Sequence, residues 1–163
     1  VSLFSFGKKF VLALTVLASN LPAHANIGDT VQQLRARYGS AQDMGGQLLF
    51  DVRLVNGQIV PARGAADAQD HFSINVYFDG DHSAMEVFTR NTPDPQKAQM
   101  TQADIDAILA ATGDGQQWHP IQVPTGRTTW ARTDKKLIAR FSPNKSGKVD
   151  DASVLVIMLY TEK

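Results

Sequence analysis

The chain contains no cysteine. That absence excludes a disulfide framework, a thiolate-held zinc or iron–sulfur centre, a thiol nucleophile and a lipid-modified N-terminal cysteine. Glutamate is almost as scarce: only Glu86 and Glu162 occur. A paired-carboxylate hydrolase would therefore have to rely on Asp, and most Asp stand where turns or helix starts are expected. Charge of one sign is also lacking, with 16 Lys plus Arg against 16 Asp plus Glu. Such a balance gives no reason to expect a nucleic-acid partner. No Gly-x-Ser-x-Gly elbow, His-Glu-x-x-His helix, Walker loop or dinucleotide fingerprint is present. No cofactor and no resident metal are implied.

The first 25 residues carry the plainest message. Lys8 and Lys9 precede the nonpolar run Phe10 to Ala18, a polar break at Ser19-Asn20 and Pro22, and the small-x-small triplet Ala23-His24-Ala25. This order reads as a secretory signal peptide, residues 1–25, cut after Ala25. The run is about half of the roughly 20 residues a helix needs to cross a bilayer. No later segment is long and apolar enough to span, so no membrane span is expected after cleavage. The expected destination is the periplasm or the extracellular medium. Loss of Lys8 and Lys9 leaves 14 basic against 16 acidic side chains in residues 26–163. A chain of that length closes one hydrophobic core, so one domain is expected.

Within 26–163 the hydrophobic period changes twice. Val31, Leu34 and Tyr38 recur at helical spacing behind Thr30-Val-Gln-Gln33, a capping box, and Gly39 ends the helix. A second helix is capped by Thr101, carries Asp104 and Asp106 at its positive end, buries Ile105, Ile108 and Leu109, and stops at Gly113. Met100 and Ile105 are spaced as a hydrophobic staple. Between the helices, Leu48 to Val55 turns at Asn56-Gly57 and returns to Pro61. Phe72, Ile74, Val76 and Phe78 alternate with polar residues, turn at Asp79-Gly80-Asp81, and continue inward through Met85, Val87 and Thr89. Thr128 to Thr133 and Lys136 to Ser142 form a further hairpin. Ala152 to Tyr160 is apolar enough to predict a central strand covered on both faces. The expected class is α+β: two short helices packed on a mainly antiparallel sheet. The order suggests half-repeats, 26–92 and 93–163; counting back from Gly39 and Gly113 pairs Leu34 with Ile108 and Val31 with Ile105.

Candidate chemistry is sparse. Asp67, Asp70 and His71 stand at one end of the 72–78 strand and Asp79, Asp81 and His82 at the other. Seven residues at roughly 3.3 Å each separate the two groups by over 20 Å, too far for one ion. Asp79-Gly80-Asp81-His82 offers three ligands in four residues, yet Asp and Gly are also what a tight turn demands. Charge distribution is more informative. Residues 26–113 carry 6 basic and 11 acidic groups, whereas 114–163 carry 8 basic and 5 acidic. With Leu137, Ala139 and Phe141 turned inward, Lys136, Ile138 and Arg140 share the outer face of their strand. That face, with Trp130 or Trp118 nearby, is suited to an envelope or extracellular protein or an anionic glycan. The same charges also suit a strand guarded against edge pairing.

Ile27-Gly28-Asp29-Thr30 leading through Leu34 to Tyr38-Gly39, followed by Tyr77-Phe78-Asp79-Gly80, resembles the outer-membrane assembly lipoprotein BamE of the SmpA/OmlA group. The duplicated helix-then-sheet order is similar to that of β-lactamase inhibitory protein. Arg37-Tyr38-Gly39 with Trp130-x-x-x-Asp134 resembles uncharacterised secreted proteins. The likeness implies a binding or assembly role on an α+β scaffold and transfers no site residue; the missing cysteine sets aside BamE-like anchoring. The expectation is an exported, noncatalytic binding domain whose site is Lys136, Ile138, Arg140 and Trp130. The alternative is an envelope-polymer hydrolase centred on Asp79, Asp81 and His82. If the export reading holds, N-terminal sequencing of the product recovered outside the cytosol should begin Asn26-Ile27-Gly28.

Overall fold

A computed structural model describes residues 27–63, 71–94, 97–123, 127–134, 136–143 and 153–160. The expected export segment, Asp67, Asp70, Pro95, Lys135, Lys145 and Lys148 lie outside these residues. The elements run α1 (Val31–Tyr38), β1 (Ala41–Asp43), β2 (Gln47–Val55), β3 (Gln58–Pro61), β4 (His71–Asp79), β5 (His82–Asn91), α2 (Gln102–Thr112), β6 (Trp118–Ile121), β7 (Thr128–Arg132), β8 (Leu137–Ser142) and β9 (Val154–Leu159). All the strand pairings are antiparallel, in the order β1-β2-β4-β5-β9-β8-β7-β6, and β3 pairs with β2 beyond the end of β1. The fold is α+β, with the sheet dominating the helices. Among the described residues, no helix is long and apolar enough to cross a membrane.

Local chemistry sets both helices. Thr30 and Gln33 complete a capping box on α1, and Thr101 and Asp104 complete one on α2. Leu34 and Tyr38 of α1, and Ile105, Ile108 and Leu109 of α2, enter one core with Phe50, Ile74, Phe88, Leu155 and Ile157 from the sheet. Val31 departs from expectation, being 36% exposed. Because α1 has 8 residues and α2 has 11, the helices correspond when matched at their caps rather than at their ends. Leu34 then pairs with Ile105, and Tyr38 with Leu109, all four buried. Gly39 adopts φ 88°, and a Cβ there would come within 3.0 Å of Pro61. Gly113 has ordinary helical φ; its small size is needed because a Cβ would meet the Gln116 carbonyl at 2.6 Å. At Asn56-Gly57 both residues have positive φ, as a type I′ hairpin requires.

Strand β5 departs from its expected inward face, for one local reason. From the turn, Asp79 pairs with His82 and Phe78 with Ser83, but Tyr77 pairs with Met85, leaving Ala84 as an extra residue. Such a bulge reverses the side-chain alternation beyond it. Regular pairing would set Met85 against Val76 and Val87 against Ile74, the inward set that simple alternation predicts. Instead Glu86 opposes Val76 and Phe88 opposes Ile74, both buried, while Met85, Val87 and Thr89 turn outward. The bulge also puts Ser83 and Glu86, three residues apart, on the same helix-bearing face.

Strand β9 lies between β5 and β8, central as expected, but it is not covered equally on its two faces. Ser153, Leu155 and Ile157 are buried, whereas Val154, Val156 and Met158 are only partly so. Both helices contribute to the core on one face, so apolar character on the other does not imply burial.

The two halves close in the same manner. Each helix is followed by strands that end in β5 or β9, and these last strands pair with each other. The residue ahead of each N-cap donates to a buried serine at the start of the last strand. Asp29 N–H donates to Ser83 Oγ at 3.1 Å, and Met100 N–H to Ser153 Oγ at 2.7 Å. Reciprocal backbone bonds between Gly28–Asp29 and Ser83 reinforce the first clip. Ser83→Ala strands the Asp29 N–H and should lower stability by about 1–2 kcal/mol. The check is a urea titration, in which the midpoint should fall without a change of slope.

Candidate functional site

The outer face of the sheet is built from rows that cross the strands. One row runs Gln47, Tyr77, Met85, Met158, Ile138 and Ala131. The next runs Leu49, Asn75, Val87, Val156, Arg140 and Thr129. Met85, Val87, Val156 and Met158 are half-buried, since flanking strands shield their sides but both helices pack on the opposite face. Their central position gives the face an apolar middle. The bulge is what brings Met85 and Val87 there.

Lys136 and Arg140 are exposed, as expected for this face, while Ile138 is 5% exposed, set between Met158 and Ala131 in the ladder. Ile138 therefore belongs to the floor. Strand β8 is interior to the sheet, flanked by β7 and β9, so these charges do not guard an edge. The edges are limited otherwise: β1 has three residues, and Pro61 and Pro120 sit in the short strands β3 and β6. Trp130 is not brought to this face. It pairs with Ala139, points to the helix side and is 9% exposed. Arg132, part of the basic stretch, is tied to Asp134 through Nε–Oδ1 at 3.0 Å and Nη2–Oδ2 at 2.8 Å. That pairing holds the Asp134 carboxyl below its usual pKa range.

The Asp79, Asp81 and His82 group forms no enclosed centre. Gly80 and Asp81 make a two-residue turn, the Asp81 side chain is 87% exposed and that of His82 is 56% exposed. His82 Nδ1 lies 2.6 Å from Asp81 Oδ1, a surface pair. At the other end of β4, His71 joins a polar island with Asp51, Ser73 and Asn91. Ser73 Oγ donates to Asp51 Oδ1 at 3.2 Å, and His71 Nε2 stands 3.5 Å from the same oxygen. The Asn91 amide reaches Ser73 Oγ and lies 3.3 Å from His71 Nε2. The serine hydroxyl is turned to the carboxylate. Among the described residues, no three His, Cys, Asp or Glu side chains gather as a metal site.

Glu86 is strongly perturbed, in a position where a carboxylate would ordinarily be exposed. It sits in the core row between Val76 and Ile157 and is 1% exposed. Tyr38 Oη donates to its Oε2 at 3.2 Å, and Oε1 has no hydrogen-bond partner. Burial raises the Glu86 pKa to about 7; the Tyr38 bond and the nearby Arg37 charge work against the rise, and Asp29 adds to it. Arg37 is itself paired to Asp29. Burial, and then the Glu86 charge, push the Tyr38 hydroxyl well above its ordinary range. Tyr38 is held in place by an edge-to-face contact with Phe50, with centroids 5.4 Å apart. A spacing signal existed in hindsight: counting one extra residue into β5 puts Glu86 inward.

The chain matches no protein-family model, and neither a curated protein nor a solved structure shows significant similarity to it.

The buried carboxyl gives a pH dependence of definite sign. Its folded pKa lies above the ordinary 4.5, so the fold favours the protonated form. That contribution is present below pH 4.5 and is lost as pH rises through about 7. Glu86→Gln keeps an acceptor for Tyr38 and removes the titration. Relative to wild type, its stability should match near pH 4 and exceed it at pH 8.5 by up to about 3 kcal/mol. Urea unfolding of both proteins at the two pH values measures this difference.

Proposed function

We propose that this protein is an exported, noncatalytic binding domain that works in the periplasm or outside the cell and engages a protein partner through the outer face of its sheet. The observation that carries the reading is the composition of that face. Met85, Val87, Val156 and Met158 form a partly exposed apolar middle over Ile138, and the exposed Lys136 and Arg140 stand beside it. An apolar centre with charged flanks has the anatomy of an association surface, in which the apolar part provides affinity and the charges steer and orient. Two lysine and arginine side chains favour a partner with acidic groups at matching positions. With β8 interior, pairing protection does not account for their presence.

The hydrolase alternative gains no support at Asp79, Asp81 and His82, whose open turn encloses no substrate.

The test is capture from envelope and culture-medium extracts with residues 26–163 as bait. Lys136→Glu combined with Arg140→Glu should reduce recovery of a specific partner by about tenfold or more, since charge reversal at an interface costs more than charge removal. Circular dichroism should remain unchanged, because both side chains are exposed. Equal recovery by the variant would reject this face.

A further inference from the structure

We propose that the cleft between α2 and the β6–β7 hairpin is a second site, on the helix side of the sheet, and that it takes a neutral saccharide. Its volume is about 430 Å³, within the range of small-ligand sites. Leu109, Trp118 and Trp130 give it apolar walls, and Asp106, Gln116 and Gln117 give it polar ones.

This combination matches the chemistry of a sugar ring. A pyranose offers a flat patch of C–H groups on one face and, around its rim, hydroxyls that each donate and accept. The first needs an aromatic or aliphatic surface; the second needs planar side chains carrying both donors and acceptors. Two Gln amides supply both, and one carboxylate adds acceptors. Among the described residues, neither Lys nor Arg lines the cleft, whereas Asp106 does, so an anionic ligand would meet repulsion without a counter-charge. The neutral class follows from that sign.

The walls are held in place without a ligand. Trp118 Nε1 donates to the Leu109 carbonyl at 2.8 Å, tying its ring to α2. The loop between them is folded tightly, with Gln116 N–H on the Gly113 carbonyl at 2.8 Å. The Gln117 carbonyl accepts from both the N–H and the hydroxyl of Thr133, each at 2.8 Å. His119, at the rim, has its Nε2 3.2 Å from the same hydroxyl. Preorganisation of this kind reduces the entropy lost on binding. The Asp106 carboxylate is oriented by the Gln102 amide, 2.8 Å from Oδ1.

The chain has only two tryptophans, and both line this cleft. Occupancy therefore has an intrinsic readout that binding at the outer face does not share. The experiment is a glycan array of neutral and acidic oligosaccharides probed with residues 26–163, each hit being titrated by tryptophan emission and calorimetry. A neutral oligosaccharide should bind saturably and shift the emission. Asp106→Ala with Gln116→Ala, both exposed positions that leave the core intact, should weaken it by about tenfold or more. Lys136→Glu with Arg140→Glu should leave it unchanged, which separates this site from the outer face. Absence of any neutral hit, binding of acidic glycans only, or full affinity in the Asp106–Gln116 variant would each overturn the proposal.

Discussion

One extra residue in strand β5 governs the arrangement of this molecule. Ala84 has no partner on β4, and beyond it every side chain of β5 exchanges faces. Two consequences follow from that single irregularity. Glu86 enters the core beneath Tyr38, and Met85 and Val87 move to the outer surface. The exchange places the large Phe88 side chain in the core where Val87 would otherwise stand, and Glu86 where Met85 would. The cost is a buried carboxyl with one unpaired oxygen. Tyr38 offsets part of it, and a raised pKa lets the group shed its charge near neutrality.

The sheet consequently has two unlike faces. On one, both helices close a single core, beside which Arg37 pairs with Asp29, and Arg90 with Asp104 at 2.6 Å. The Arg90 pair links β5 to the first turn of α2, where Asp104 also accepts from its own N-cap threonine. On the other face, apolar side chains remain partly exposed beside unburied Lys136 and Arg140. A solvated sheet face ordinarily presents alternating polar residues; this one is mixed apolar and basic. The cleft beside α2 belongs to the first face and is separated from the second by the thickness of the sheet.

The correspondence between the halves is physical as well as topological. Ser83 and Ser153 stand at the start of the two strands that pair at the centre, and each binds the backbone one residue ahead of a helix cap. Matching the helices at their caps, rather than at their glycine stops, aligns buried with buried residues. The stops differ because the two glycines answer different demands: Gly39 supplies a positive φ against Pro61, and Gly113 supplies room for a returning loop.

The sequence by itself determined what depends on neighbours within a few residues. Both capping boxes, the helix stripes of Leu34 and Ile105, the Asn56-Gly57 turn and the alternation of β4 are local effects, written in spacing and residue type. The short strands β1 and β6 were not legible, since three or four residues carry too little periodicity to distinguish them from loop. Nor could spacing reveal on which side of the sheet Trp130 would stand relative to Ile138, or that β8 would be interior. Only the tertiary structure decided the face of β5, the burial of Glu86, the partial exposure of β9 and the placing of Trp118 and Trp130 along one cleft beside α2. The physical reason is that a strand's facing has a period of two: a single bulge, selected by which side chains the helices will cover, inverts all that follows it.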